Sequence, residues 1–151
     1  MVKIDETDRK ILHFLNENSK IPSKELARTL RIHPNTLLQR IKKLEKGGVI
    51  KKYKSVVNYE KTGIDVMALV FIKVRMKTDW EKILKPVSKI PQISSFILIT
   101  GTSDALAIVR VKNKDELATV LREIQKNDVV SKTTTYLALD YYKLPEDYNP
   151  F

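Results

Sequence analysis

The sequence predicts an α+β protein in two parts, and three observations carry that reading. Residues 4–46 contain three short segments with apolar residues at helical spacing. Residues 66–143 alternate strand, helix, strand, strand, helix, strand. Positive charge is concentrated in the first part. Residues 1–62 carry 15 Lys and Arg against 7 Asp and Glu, a net of +8, out of +10 for the 151-residue chain. That bias is what a polyanion-binding segment would show, and also what a solubilising bias would show.

The totals narrow the class. A hydrophobic fraction of 42% is enough to build packed cores and too much for a disordered chain. No apolar run approaches the roughly 18–20 residues that a membrane span requires. The polar start, MVKIDETDRK, has no apolar signal core, and cysteine is absent. The expectation is a cytoplasmic protein without disulfides, thiolate metal sites or membrane contact.

In the first part, IDETDRKILHFLNENS reads as a helix, with Ile4, Ile11, Leu12 and Leu15 near helical spacing. Asp5 and Asp8 suit its start, where carboxylates oppose the helix dipole. Pro22 and Ser23 open a second helix with Leu26, Ala27 and Leu30 as its apolar stripe. After the short link RIHP, a third helix runs from Pro34 to Lys46 and stops at Gly47-Gly48. Leu37, Leu38, Ile41 and Leu44 cover one side of it. Asn35, Thr36, Gln39, Arg40, Lys42, Lys43 and Lys46 cover the other. Three short helices, a tight second link and a basic third helix describe a helix-turn-helix. The next stretch, VIKKYKSVVNY, alternates β-branched residues with lysines and reads as a strand, serving as a wing or a connector. Residues 1–50 are therefore assigned to a helix-turn-helix domain, 51–62 to a linking strand and hinge, and 63–151 to a second domain.

That second domain contains VMALVFIKVRM (strand), TDWEKILKPVSKI (helix, capped by Thr78 or Asp79) and ISSFILIT (strand). The turn GTSD, the strand ALAIVRVK, the helix NKDELATVLREIQKN and the strand SKTTTYLALDYYK follow. The order β-α-β-β-α-β is the ferredoxin-like arrangement. Its helices cover one face of the sheet, leaving the other for water, a ligand or another subunit. Phe71, Phe96, Tyr136, Tyr141 and Tyr142 are candidates for either face.

A basic third helix with amides and hydroxyls among its cations fits DNA. Asn and Gln can pair with adenine, Arg with guanine, and Thr can meet a thymine methyl, while Lys and Ser hold phosphates. The expected base readers are Asn35, Thr36, Gln39 and Arg40. The expected phosphate contacts are Ser23, Lys24, Lys42, Lys43, Lys51 and Lys52. His13 is expected to be packed or on the surface, and His33 to be a turn residue; two histidines without cysteine make a weak metal site.

Three stretches together resemble the Lrp/AsnC, or feast/famine, family of transcription regulators, of archaeal type. They are IDETDRKILHFLNENSKIPSKELARTL, HPNTLLQRIKKLEKGGVIKKYKSVVNY, and LITGTSDALAIVRV followed by TTTYLALDYYK. The resemblance covers nearly the whole chain. It implies an N-terminal winged helix-turn-helix that binds double-stranded DNA. It also implies a C-terminal ferredoxin-like domain that dimerises, assembles further, commonly to octamers, and binds small effectors, usually amino acids. His33 stands where the family often has a serine, and Thr102-Ser103 where an aromatic often precedes the aspartate.

In the second domain, the GTSD turn offers backbone amides that can hold a carboxylate. Asp104 either fixes the ammonium of an amino acid or caps the turn. The family's effector-facing segments match Gly101, Thr102, Ser103 and Asp104 on the loop and Thr133, Thr135 and Tyr136 on the last strand. Thr133 and Thr135 lie on the opposite strand face from Tyr136, so these residues line one pocket only if two subunits contribute. No cofactor and no catalytic residue are expected, since there is no nucleophile–base pair, metal cluster or phosphate-binding glycine loop. The function expected is a sequence-specific regulator tuned by an amino acid at a subunit interface. The alternative is an architectural protein that wraps DNA with little sequence preference.

Overall fold

The computed structural model describes residues 3–75, 85–144 and 147–151. It divides into two compact units: Met1–Val56 with Lys143–Phe151, and Val57–Tyr142. The division differs from the sequence assignment at its end, because residues 143–151 join the helical unit. Asn149 explains why. Its Nδ2 donates to Glu17 Oε1 at 2.6 Å and to the His13 carbonyl at 3.3 Å, while Asn16 donates to the Tyr148 carbonyl at 2.9 Å.

The helical unit holds α1 (Glu6–Glu17), α2 (Ser23–Leu30) and α3 (Pro34–Lys46). α1 opens with a reciprocal cap. The Asp8 amide donates to Asp5 Oδ1 at 2.9 Å and the Asp5 amide to Asp8 Oδ2 at 3.2 Å, satisfying two amides that the first turn leaves unpaired. α2 ends at Arg31, which adopts a left-handed backbone at φ 53°. α3 begins on His33, whose Nδ1 accepts from the Asn35 amide at 3.2 Å, with Pro34 in the first turn. Past its end, Gly48 takes φ 69°, where a Cβ would be strained. The Val49 amide then bonds back to the Leu44 carbonyl at 2.9 Å. Ile11, Leu12, Leu26, Ala27, Leu37 and Leu44 form the core of this unit. Leu38 departs from the expected stripe and is 43% exposed. It stands one residue round the helix from Leu37, which carries it to the edge of the polar side.

The stretch expected to be a strand, residues 49–59, is not one. Among the described residues no ladder forms over 51–58, and every one of these side chains is exposed. The alternation encodes a two-faced strand, but a strand exists only beside a hydrogen-bonding neighbour.

The second unit is a four-stranded sheet of β1 (Val66–Val74), β2 (Ile93–Leu98), β3 (Ala105–Val111) and β4 (Val130–Leu137). The helix α4 (Lys114–Gln125) joins β3 to β4. The order is β2-β3-β1-β4, all neighbours antiparallel, as the predicted arrangement requires. Of the stretch 78–90 expected to be the first crossover helix, residues 78–84, with Thr78 and Asp79, lie outside the described residues, and the rest is a turn and a short 3-10 helix, Val87–Lys89. Period-two alternation sets the two faces. Ala68, Val70, Ile72, Ala107 and Val109 are buried with Leu117, Val120 and Ile124 of α4. Met67, Leu69, Phe71, Leu106 and Ile108 point the other way and remain half-buried. The five aromatic candidates divide. Phe71 meets Tyr136 edge-on at 5.7 Å on the open face, and Phe96 packs on the core. Tyr141 lies 5.8 Å from the Arg110 guanidinium, and Tyr142 is exposed.

Candidate nucleic-acid interface and effector site

In the helical unit, burial of Leu37 and Leu44 turns the opposite side of α3 outward. Asn35, Leu38, Gln39 and Lys42 are spaced by three or four residues, so they line one exposed row, with Thr36 beside them. Ser23 and Lys24 at the start of α2 are exposed, as are Lys51 and Lys52. Leu38 has no polar atom; each of the other side chains carries a donor, and among the described residues none of them makes an internal hydrogen bond. Lys43 and Lys46 sit in the last turn of α3, where cations oppose the negative end of the helix.

Two of the residues expected to contact DNA also have partners inside the helical unit. Arg40 is the first. Its Nη1 donates to Asp5 Oδ2 and Asp8 Oδ1, each at 2.7 Å, and its side chain is 28% exposed. Lys43 reaches the Lys3 carbonyl at 2.9 Å and Asp8 Oδ2 at 3.3 Å, so its ammonium is shared with the interior. The cause is Asp8, which is fully buried and would be an uncompensated charge without them. Burial pushes the Asp8 carboxyl up, but the hydrogen bonds from Arg40, the Asp5 amide and Lys43 outweigh it and hold it below the usual range. Arg40 likewise holds the Asp5 carboxyl down. Leu38 and Arg31 are surface features that sequence reasoning missed. Leu38 was assigned to the core by wheel position, and no sequence signal placed Arg31 at a left-handed φ.

In the second unit the expected effector residues separate. Asp104 is buried. Its Oδ2 accepts from the Val74 amide at 2.9 Å, its Oδ1 is 3.2 Å from Lys73 Nζ, and its amide donates to the Ile72 carbonyl at 2.9 Å. Through these bonds it holds the end of β1. Thr133 and Thr135 pair with Ile72 and Val70, which puts them on the helix-facing side, and Thr133 Oγ1 accepts from Gln125 Nε2 at 2.9 Å. Tyr136 lies on the opposite face with Phe71. Thr102 and Ser103 do line a cleft of about 230 Å³, and its other walls are Phe71, Lys73, Lys132 and Thr134. Gly101 supports the loop from outside that lining, at φ 128°. Lys73, Lys132 and Thr134 were missed because their convergence is set by cross-strand register, which short sequence motifs do not reveal.

Two family models match. Residues 4–51 match a winged helix-turn-helix DNA-binding model, and residues 67–147 match the Lrp/AsnC ligand binding domain. The chain belongs to the Lrp/AsnC family. An uncharacterised HTH-type transcriptional regulator of Pyrococcus furiosus is 33% identical to this Lrp/AsnC protein, over 94% of this chain and 95% of its own. The regulatory protein AsnC of Haemophilus influenzae is 29% identical over 92% and 93%. Among solved structures, Escherichia coli AsnC aligns with a TM-score of 0.88 at 26% identity, over 95% of this chain and 97% of its own. A Neisseria meningitidis transcriptional regulator solved with L-Met aligns at 0.87 and 25%, over 94% of each chain. This Lrp/AsnC protein is thus a transcription regulator with a DNA-binding helix-turn-helix and a ligand-binding domain, in a family of regulators and not of enzymes. Among the described residues no helix is long and apolar enough to cross a membrane, and no group of His, Cys, Asp and Glu could hold a metal ion.

Proposed function

We propose that this regulator binds specific duplex sites through α3 and that an amino acid tunes it through the second unit. The observation that carries the first half is the exposed row Asn35, Leu38, Gln39 and Lys42, set opposite the buried Leu37 and Leu44. In the major groove, Asn35 and Gln39 have the amide geometry to pair with adenine, and Thr36 and Leu38 meet thymine methyls. Ser23, Lys24, Lys42, Lys51 and Lys52 neutralise phosphates and set the register. Arg28 and Arg31, both exposed, extend that basic surface across the turn.

The second half rests on the ligand-binding domain and on the relative solved with L-Met. Two features favour self-association. The open face of the sheet presents Leu69, Phe71, Leu106 and Tyr136, and the extended segment 51–58 leaves its backbone groups unpaired among the described residues. An effector that binds one assembly better than another shifts the population by that difference in affinity, and so changes how DNA-reading heads are spaced.

The test is selection of bound sequences from random duplexes by the full-length protein. Competition against unrelated DNA at fixed salt follows. A preference of about 10³ or more supports sequence-specific regulation. Near-equal affinities would replace it with the DNA-wrapping reading.

A further inference from the structure

We infer that the cleft between the Thr102–Ser103 loop and the ends of β1 and β4 is an anion site, and that its ligand is a small dicarboxylate. The inference rests on the reading of the second unit as an effector domain and names the effector's charge class. Lys73 and Lys132 are direct cross-strand partners in the β1–β4 register, and both line the cleft. Like charges placed opposite each other on neighbouring strands repel; Asp104 at 3.2 Å offsets the Lys73 charge, while Lys132 has no ion pair among the described residues, so the pair keeps a net positive charge that an anion between the two ammonium groups offsets.

The rest of the lining has the same bias. Thr102, Ser103 and Thr134 supply hydroxyl donors, and among the described residues no carboxylate lines the cleft. The carboxylate of Asp104, which is buried and is not among the described lining residues, holds the Val74 amide and the Lys73 ammonium. Lys132 is exposed and makes no ion pair among the described residues. Among the described lining residues, an α-ammonium group entering here meets two lysines and no carboxylate. A neutral zwitterion therefore gains one carboxylate contact and suffers one repulsion, and a basic amino acid suffers two. A second carboxylate reverses that balance. The cleft volume of about 230 Å³ leaves room for a small organic ligand. Phe71 supplies an apolar wall for its methylenes. An acidic amino acid and the corresponding 2-oxo acid share the two carboxylates and differ in the ammonium group.

The experiment is calorimetric titration of the full-length protein with L-glutamate, L-aspartate, 2-oxoglutarate, L-glutamine and L-lysine, together with a thermal-shift screen of the twenty amino acids. The dicarboxylates should bind, with glutamine and lysine at least tenfold weaker. Lys132→Gln should weaken dicarboxylate binding by roughly tenfold to a hundredfold, the worth of one charge-assisted hydrogen bond, and Lys132→Arg should restore most of it. Lys126→Gln, at an exposed lysine outside the cleft, should change nothing. Tighter binding of 2-oxoglutarate than of glutamate supports the anion site and identifies the 2-oxo acid as its source. Binding of glutamine, lysine or another neutral or basic amino acid in preference to the dicarboxylates would overturn the charge assignment while leaving amino-acid sensing intact. Glutamate binding that Lys132→Gln leaves unchanged would overturn the site. If none of the compounds binds, both this inference and the amino-acid reading fail.

Discussion

At the residue scale, a buried carboxylate decides what two cations of α3 do. Asp8 is inaccessible to water, and Arg40 at 2.7 Å is its principal counter-charge. Arg40→Gln is therefore expected to act on folding, costing about 1.5–3 kcal/mol through the lost charged hydrogen bond to Asp8. Denaturant unfolding measures that loss. A variant that melts like the parent yet has lost its preferred DNA sequence would return Arg40 to the base readers. The acid dependence has a definite sign. The folded carboxyls of Asp5 and Asp8 lie below their unfolded values, so the stability they add is complete above the ordinary carboxylate range and disappears as pH falls through their depressed values. Melting temperature should be flat from pH 7 to about 5 and fall below about 4. In Arg40→Gln the fall should be shallower. Gln39 is the opposite case, exposed and uncommitted. Gln39→Ala should leave the melting temperature unchanged, weaken binding to a selected site by roughly 1–3 kcal/mol and relax the preference at one base pair. Equal losses on every sequence would reassign it to the backbone.

At the element scale, each helix and strand has one side fixed by packing and another left for function. α3 buries Leu37 and Leu44 and exposes Lys42, so Lys42→Gln should reduce the slope of log affinity against log salt by about 0.9 while leaving base preference intact. A titration series from low to physiological salt checks this. The C-terminal tail shows an element that sequence pattern could not assign. Residues 143–151 carry no period, yet Asn149 reaches Glu17 and the His13 carbonyl, and the Phe151 carbonyl lies 2.9 Å from His13 Nδ1. Asn149→Ala should lower the stability of the helical unit by about 0.5–1.5 kcal/mol without altering the second unit, read by hydrogen exchange of the α1 amides. Unchanged exchange would mean that the tail rests on α1 without holding it.

At the scale of the whole molecule, the open face of the sheet presents half-buried apolar side chains to which packing among the described residues gives no role. Phe71→Lys places a charge among Leu69, Leu106 and Tyr136. If self-association uses this face, sedimentation should show a smaller species with an unchanged circular dichroism spectrum. A parent-sized assembly would move the interface elsewhere. The same scale explains how the reading of the effector site fared. The loop was legible because glycine and short polar residues between two apolar runs mark a turn. The role of Asp104 was not, because a carboxylate beside a turn serves a ligand or a backbone amide equally well until the position of Val74 is known. Lys132 was passed over because a lysine at the start of a strand is ordinary until Lys73 is found opposite it.

The sequence by itself determined the four described α-helices, the basic third one among them, and the order of the four sheet strands along the chain, because these follow from local periodicity, caps and turn residues over spans of about a dozen residues. It also carried the family motifs, which are local strings. Only the tertiary structure decided which polar groups remain available. Arg40 and Asp104 are chemically apt for DNA and for an ammonium group, and packing spends both on a buried aspartate and a strand end. Residues 51–58 have the composition of a strand and, among the described residues, none of its hydrogen bonds. In each case the deciding partner lies roughly 30 residues away or is supplied by another strand, and the free energy of desolvating a charge or pairing a backbone depends on that partner and not on neighbouring letters.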